Sequence, residues 1–99
     1  MKVLKRCEGS GNPLLFWCPG CEEFHGVWIR PEANPATGAF WTWNGDLEKP
    51  TFSPSVLVHI SGNKPRCHFY VENGFIRYLS DCGHALAGKT VQMKPDPIE

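Results

Sequence analysis

Glycine and proline fall all along this chain of 99 residues, ten of one and nine of the other. That distribution argues against long helices, because proline removes a helical hydrogen-bond donor and glycine costs backbone entropy. What remains is extended chain broken by turns. Leu14-Leu15-Phe16-Trp17 reads as a strand, and His25 to Arg30 as its return, stopped by Pro31. Phe40-Trp41-Thr42-Trp43 reads as another strand, meeting Asn44-Gly45, a dipeptide that tolerates the positive φ of tight turns. Ser55 to Ile60 alternates, with Val56, Val58 and Ile60 on one face and Leu57 and His59 on the other. The strongest local signal is a hairpin around Asn73-Gly74. A two-residue loop there sets Glu72 against Phe75, Val71 against Ile76, Phe69 against Tyr78 and Cys67 against Ser80. Ala85 to Gly88 reads as one helical turn and Thr90 to Met93 as a last strand. The fold expected is mainly β: a small antiparallel sheet or barrel-like fold, one domain over residues 1–99, with 1–2 and 95–99 frayed.

A domain this small buries only about two-thirds of the surface its unfolded chain exposes, so it gains from a staple. Five cysteines is an odd number, and no charged-then-apolar leader marks the chain for secretion. Reduced thiols in the cytoplasm, beside four histidines, point to a metal rather than disulfides. Cys18-Pro19-Gly20-Cys21 has the spacing of a zinc knuckle, in which both sulfurs converge on one ion at about 2.3 Å. The second half of the site is sought in Cys67-His68 and Cys82-Gly83-His84. An extended continuation of the hairpin places Cys82 and His84 on the face of Cys67, whereas strand alternation sends His68 to the other face. Cys18, Cys21 and Cys67 are therefore expected ligands, with His84, Cys82, His25 and His68 as the candidates for the fourth place. His25 can also serve as a partner to a ligand. Cys7 and His59 read as ordinary packing residues.

A thioredoxin-like reading of the two cysteines is weak, because the following Glu22-Glu23-Phe24-His25-Gly26 starts no long helix. A nucleobase deaminase would need His-x-Glu and Pro-Cys-x-x-Cys, and neither occurs. The formal net charge is zero, which argues against strong nonspecific attraction to nucleic acid or anionic membrane. No apolar run is long enough to span a bilayer as a helix.

Three segments together resemble a known family. They are Phe16-Trp17-Cys18-Pro19-Gly20-Cys21 with His25; Trp41-Thr42-Trp43-Asn44-Gly45-Asp46 leading into Pro50-Thr51-Phe52-Ser53-Pro54-Ser55; and Cys67-His68-Phe69 running to Asp81-Cys82-Gly83-His84-Ala85-Leu86-Ala87-Gly88. The family is one of short phage- and prophage-encoded proteins of uncharacterised function, some carrying an unfounded ammonia monooxygenase label. The resemblance covers roughly residues 14 to 93. It implies a phage or prophage origin, a bacterial host cytoplasm and a zinc site. The family's last motif reads Asp-x-Thr-His-Ala-Leu-Ala-Gly, which favours His84 over Cys82 as fourth ligand. Gly83 stands where the family usually has Thr, and Phe69 where many members have Ser.

The function expected first is binding: a closed structural Zn2+ site supports a surface that docks a host or phage protein, with Trp41, Trp43, Asn44, Asp46 and the segment 50–55 as its candidates. No residue is assigned a catalytic role. The alternative is a zinc-dependent hydrolase with an open metal position, a carboxylate base among Asp81, Glu22, Glu23 and Asp46, and His25 or His68 carrying the proton. A third reading is a nucleic-acid-binding zinc ribbon using Lys2, Lys5, Arg6, Arg66 and Arg77, which the neutral charge weakens.

Overall fold

Short strands and turns make up the described chain, as the spread of glycine and proline requires. The computed structural model describes residues 2–9, 11–58 and 67–95, and among them there is no helix. Hence none is long and apolar enough to cross a membrane. His59, Arg66 and the tail 96–99 lie outside the described residues.

Among the described residues nine strands form three antiparallel sheets. The first sheet has the order β1-β2-β3, built from β1 (Lys5–Arg6), β2 (Leu14–Cys18) and β3 (Glu23–Val27). Strand β2 alternates, burying Leu14, Phe16 and Cys18. It pairs with β3 from Leu14↔Val27 to Cys18↔Glu23, so the Cys-Pro-Gly-Cys segment is the turn of a hairpin. Two short strands, β4 (Thr42–Trp43) and β5 (Phe52–Ser53), form a ribbon. The third sheet has the order β6-β7-β8-β9, from β6 (Val56–Val58), β7 (Cys67–Glu72), β8 (Phe75–Tyr78) and β9 (Thr90–Gln92).

The β7–β8 hairpin has the register its turn dictates, from Phe69↔Tyr78 to Glu72↔Phe75. Asn73 (φ 49°) and Gly74 (φ 82°) supply the two positive φ angles that let such a turn follow the strands' twist. Gly74 is required twice over, since a Cβ there would crowd the Lys49 backbone. Pairing ends at Tyr78. Beyond it the chain turns through residues 79–88 rather than continuing as a strand. The helical turn expected at Ala85 to Gly88 is a hydrogen-bonded turn, with Ala87 N donating to His84 O (3.1 Å).

The core sits where the first and third sheets face each other. Leu14, Phe16, Cys18 and Val27 meet Val56, Cys67, Phe69, Val71, Ile76 and Tyr78. Phe16 meets Phe69 edge to face at 5.7 Å. Each such aromatic buries enough apolar area that truncation to alanine costs about 3–5 kcal/mol. Alternation along β7 then has a functional result. Its inward residues build the core, and its outward residues, His68 and Tyr70, line the opposite face.

Candidate functional site

Two constellations flank the single strand β7. On the inner side, Cys18, Cys21, Cys67 and His84 bring one ligand atom each within 4.8 Å of one another, so this cluster could hold a metal ion. Cys18 Sγ lies 3.9 Å from Cys67 Sγ, and Cys67 Sγ lies 3.4 Å from His84 Nε2. A tetrahedral ion with metal–sulfur bonds of ~2.3 Å and metal–nitrogen bonds of ~2.05 Å separates its ligands by ~3.8 Å for two sulfurs and ~3.6 Å for sulfur and nitrogen. The observed spacings fit such an ion with little adjustment.

The hairpin turn supplies the first two sulfurs. Glu22 N donates to Cys18 O (2.8 Å) and Cys21 N to Cys18 Sγ (3.4 Å), folding the segment back on itself. His84 arrives from the 79–88 turn. Leu86 N lies 3.2 Å from its Nδ1, and Nε2 is the nitrogen turned to the sulfurs. The ring packs edge to face on Tyr78 at 4.6 Å, and Gly20 lies so close that a Cβ there would overlap it. Glycine at position 20 is thus a condition of the site.

The electrostatics are those of thiols crowded together. Hydrogen bonding from Cys67 lowers the Cys18 thiol to about 3, aided by His25 and Tyr78 and opposed by burial. Tyr78 Oη lies 3.0 Å from that sulfur. The Cys67 thiol is pushed up, chiefly because it donates to Cys18. Burial, then the charge of Cys18, raises Cys21 to about 11. One sulfur takes the negative charge at its neighbours' expense; a cation among them would let all three ionise.

Among the alternates, Cys82 and His68 are outside the four-residue cluster and His25 lies beside it. Cys82 uses its sulfur on the main chain of His68, donating to His68 O (2.9 Å) and accepting from His68 N (3.2 Å). His25 is buried against the sulfurs, stacks on Phe69 at 5.7 Å, and forms with Cys21 and Glu23 a second set of potential ligand atoms. Its Nε2 has no hydrogen-bond partner among the described residues. His68 points away, to the outer face.

There it joins the second constellation. Ser55 Oγ lies 3.3 Å from His68 Nε2, and His68 Nδ1 lies 3.2 Å from Asp81 Oδ2. An ionised carboxylate only accepts, so Nδ1 carries the proton and Nε2 turns its lone pair to the Ser55 hydroxyl. This is the connectivity of a nucleophile, its base and the group that orients the base, in apo-like loose geometry. His68 is 25% exposed and Asp81 44% exposed, so the relay opens to solvent.

Each member is held in place by main-chain contacts. Ser55 precedes β6, and its carbonyl accepts from Trp41 Nε1 (3.1 Å). The backbone of His68 is clamped by Cys82 and by Leu79 N, which donates to His68 O (2.9 Å). Asp81 sits in the turn between Cys82 and the end of β8. A cleft of about 640 Å³ adjoins Ser55, walled by Phe24, His25, Trp28, Trp41 and Leu57.

Sequence reasoning made His68 an alternate ligand or proton carrier and Asp81 a candidate base beside a metal, and placed Ser55 only in a candidate docking segment. The signal that could have found the relay was the pairing of β6 with β7. With Val56 and Val58 facing the core, Leu57↔His68 pairing puts Ser55 on the same face as His68. The other surface residues proposed, Trp43, Asn44 and Asp46, build a turn. Trp43 Nε1 donates to Asp46 O (3.2 Å), Asn44 Oδ1 accepts from Asp46 N and Thr51 N, and Asp46 Oδ1 accepts from Glu48 N and Lys49 N.

No curated protein and no solved structure matches the chain. A family model does, over residues 2–79: BubE, described as a bacterial ubiquitination-like system serine protease. With most of its length matched, and with a serine, a histidine and an aspartate joined in series on one face, the chain belongs to the BubE family.

Proposed function

We propose that this protein is a serine peptidase acting on a protein of a bacterial ubiquitination-like system, with Ser55 as nucleophile, His68 as general base and Asp81 as the residue that orients His68. The observation that carries it is the hydrogen-bonded series Ser55–His68–Asp81. In acylation Ser55 Oγ attacks the scissile carbonyl while His68 Nε2 takes its proton. The carbon–nitrogen bond then breaks, and His68 returns that proton to the leaving amine. Water, deprotonated by the same nitrogen, releases the acid and restores Ser55. Asp81 stabilises the imidazolium at each stage without taking the proton. The Ser55 N–H, on the nucleophile's own residue, would serve as a donor to the developing oxyanion.

The metal completes this reading structurally. Cys18, Cys21, Cys67 and His84 form a closed four-ligand set suited to Zn2+, whose binding energy becomes folding energy. Cys67 is the neighbour of His68, and His84 follows Asp81 by three residues. Held by Cys18, Cys21, Cys67 and His84, a zinc ion would tie together the two segments that carry base and orienting acid. Docking through Trp41, Trp43, Asn44 and Asp46 without chemistry is the weaker reading, because those polar groups are occupied with the 41–51 turn and Ser55.

A fluorophosphonate probe followed by peptide mass mapping tests the assignment. It should label Ser55 in the parent and nothing in Ser55→Ala, with labelling about 10⁴-fold slower in Asp81→Asn. Labelling at another residue, or parent-like labelling of His68→Ala, would refute it.

A further inference from the structure

We propose that the substrate enters as an extended peptide that lies in the cleft between β3 and β6 and pairs, as an added strand, with the outer edge of β6 through the main chain of Leu57. This inference rests on the hydrolase reading of Ser55.

The argument begins with His68. In an antiparallel pair, facing residues alternate between those that exchange both main-chain hydrogen bonds and those that exchange none. The N–H and C=O of His68 are turned towards the far side of β7, to Cys82 Sγ and Leu79 N. They cannot also bond β6. The pair Leu57↔His68 is therefore a non-bonded one, and β6 is held to β7 by Val56↔Phe69 and Val58↔Cys67. The next strand agrees: Tyr78 N, opposite Phe69, donates away from β7 to Lys89 O (2.9 Å).

By the same alternation the Leu57 N–H and C=O point outward. Among the described residues β6 is the end strand of its sheet, so they point from its outer edge. Below them lies the cleft of about 640 Å³, whose other wall is β3, itself the end strand of the first sheet. Ser55 stands two residues before Leu57, about 6.6 Å along the strand. An added strand bonded to Leu57 would thus carry a carbonyl past Ser55 Oγ, two residues from the anchoring pair.

The surroundings define what fits. Strand addition recognises main chain, so the occupant is an unfolded tail or loop rather than the surface of a folded domain. The walls offer Phe24, Trp28 and Trp41, and the Leu57 side chain is 42% exposed beside His68, so apolar side chains at alternate positions find contacts. Natural proteins cover or charge such edges to prevent unwanted pairing. Among the described residues this edge carries leucine and adjoins the nucleophile.

The test uses the whole protein and a series of acetyl-tetra-alanine p-nitrophenyl esters, each N-methylated at one backbone nitrogen, with p-nitrophenyl acetate as the non-peptide comparison. Methylation removes one donor and blocks pairing there. The expected result is a fall in kcat/KM of about tenfold at alternate positions only, against the unmethylated peptide ester. Leu57→Pro, which deletes the outward N–H, should raise KM for the peptide ester more than it lowers kcat. Equal loss at every position, or none at any, overturns strand addition while Ser55-dependent hydrolysis of p-nitrophenyl acetate leaves the peptidase reading standing. If neither ester reacts with the parent protein, both fall.

Discussion

One methyl group at Gly20 should weaken metal binding at the Cys18, Cys21, Cys67 and His84 cluster about 100-fold. A Cβ on this residue would overlap three atoms of the His84 ring, Cε1, Nε2 and Nδ1. The backbone itself accepts alanine, since Gly20 is not among the positive-φ glycines. All of the strain therefore falls on the ring. Recovering ordinary contact requires the ring to retreat by more than ~1 Å, which also disturbs its edge-to-face contact with Tyr78. Metal–ligand bonds tolerate displacements of only ~0.2 Å, so the His84 bond is lost. Losing a residue that merely supports a ligand lowers metal affinity about 10–100-fold. Losing the ligand should reach the upper end, ~100-fold or ~2.7 kcal/mol. Competition with a colorimetric chelator measures this directly. The double variant Gly20→Ala/His84→Ala should bind no worse than His84→Ala alone, because its methyl meets no ring. Parent-like affinity in Gly20→Ala would refute the placement of His84 at the metal.

Three further outcomes follow from the same contacts. Trp41→Phe removes the donor to the Ser55 carbonyl and should cost about 1 kcal/mol in chemical denaturation, with slower fluorophosphonate labelling of Ser55; unchanged labelling would mean that Trp41 does not position the nucleophile. Cys82→Ala leaves the His68 N–H without its acceptor and should cost about 1–3 kcal/mol while metal stoichiometry stays at one; loss of the metal would return Cys82 to the ligand set. The Asp46 carboxyl is held below its ordinary value first by Lys49 N–H and then by Glu48 N–H. Its contribution to stability is full above the unfolded value and is lost as pH falls through the lower folded one. Thermal melts of Asp46→Asn should therefore lack part of the parent's acid-side decline below about pH 4; identical pH profiles would show that these bonds are not felt in folding.

The sequence by itself determined the parts that depend on neighbours along the chain. Asn73-Gly74 set the β7–β8 register, alternation put Cys67 inward and His68 outward, and two residues between Cys18 and Cys21 let both sulfurs turn to one point. Even there the route to His84 differed from expectation: the chain reaches the metal cluster through a tight turn, and Cys82 leaves it to clamp His68. The Ser55–His68–Asp81 series was decided by tertiary structure alone. Its members come from a strand entrance, a strand and a turn, joined only when β6 pairs with β7 and the chain folds back after Tyr78. A serine, a histidine and an aspartate at such separations carry no local periodicity, so no pattern in one dimension marks them. What marks them is a pair of hydrogen bonds across one face of the sheet.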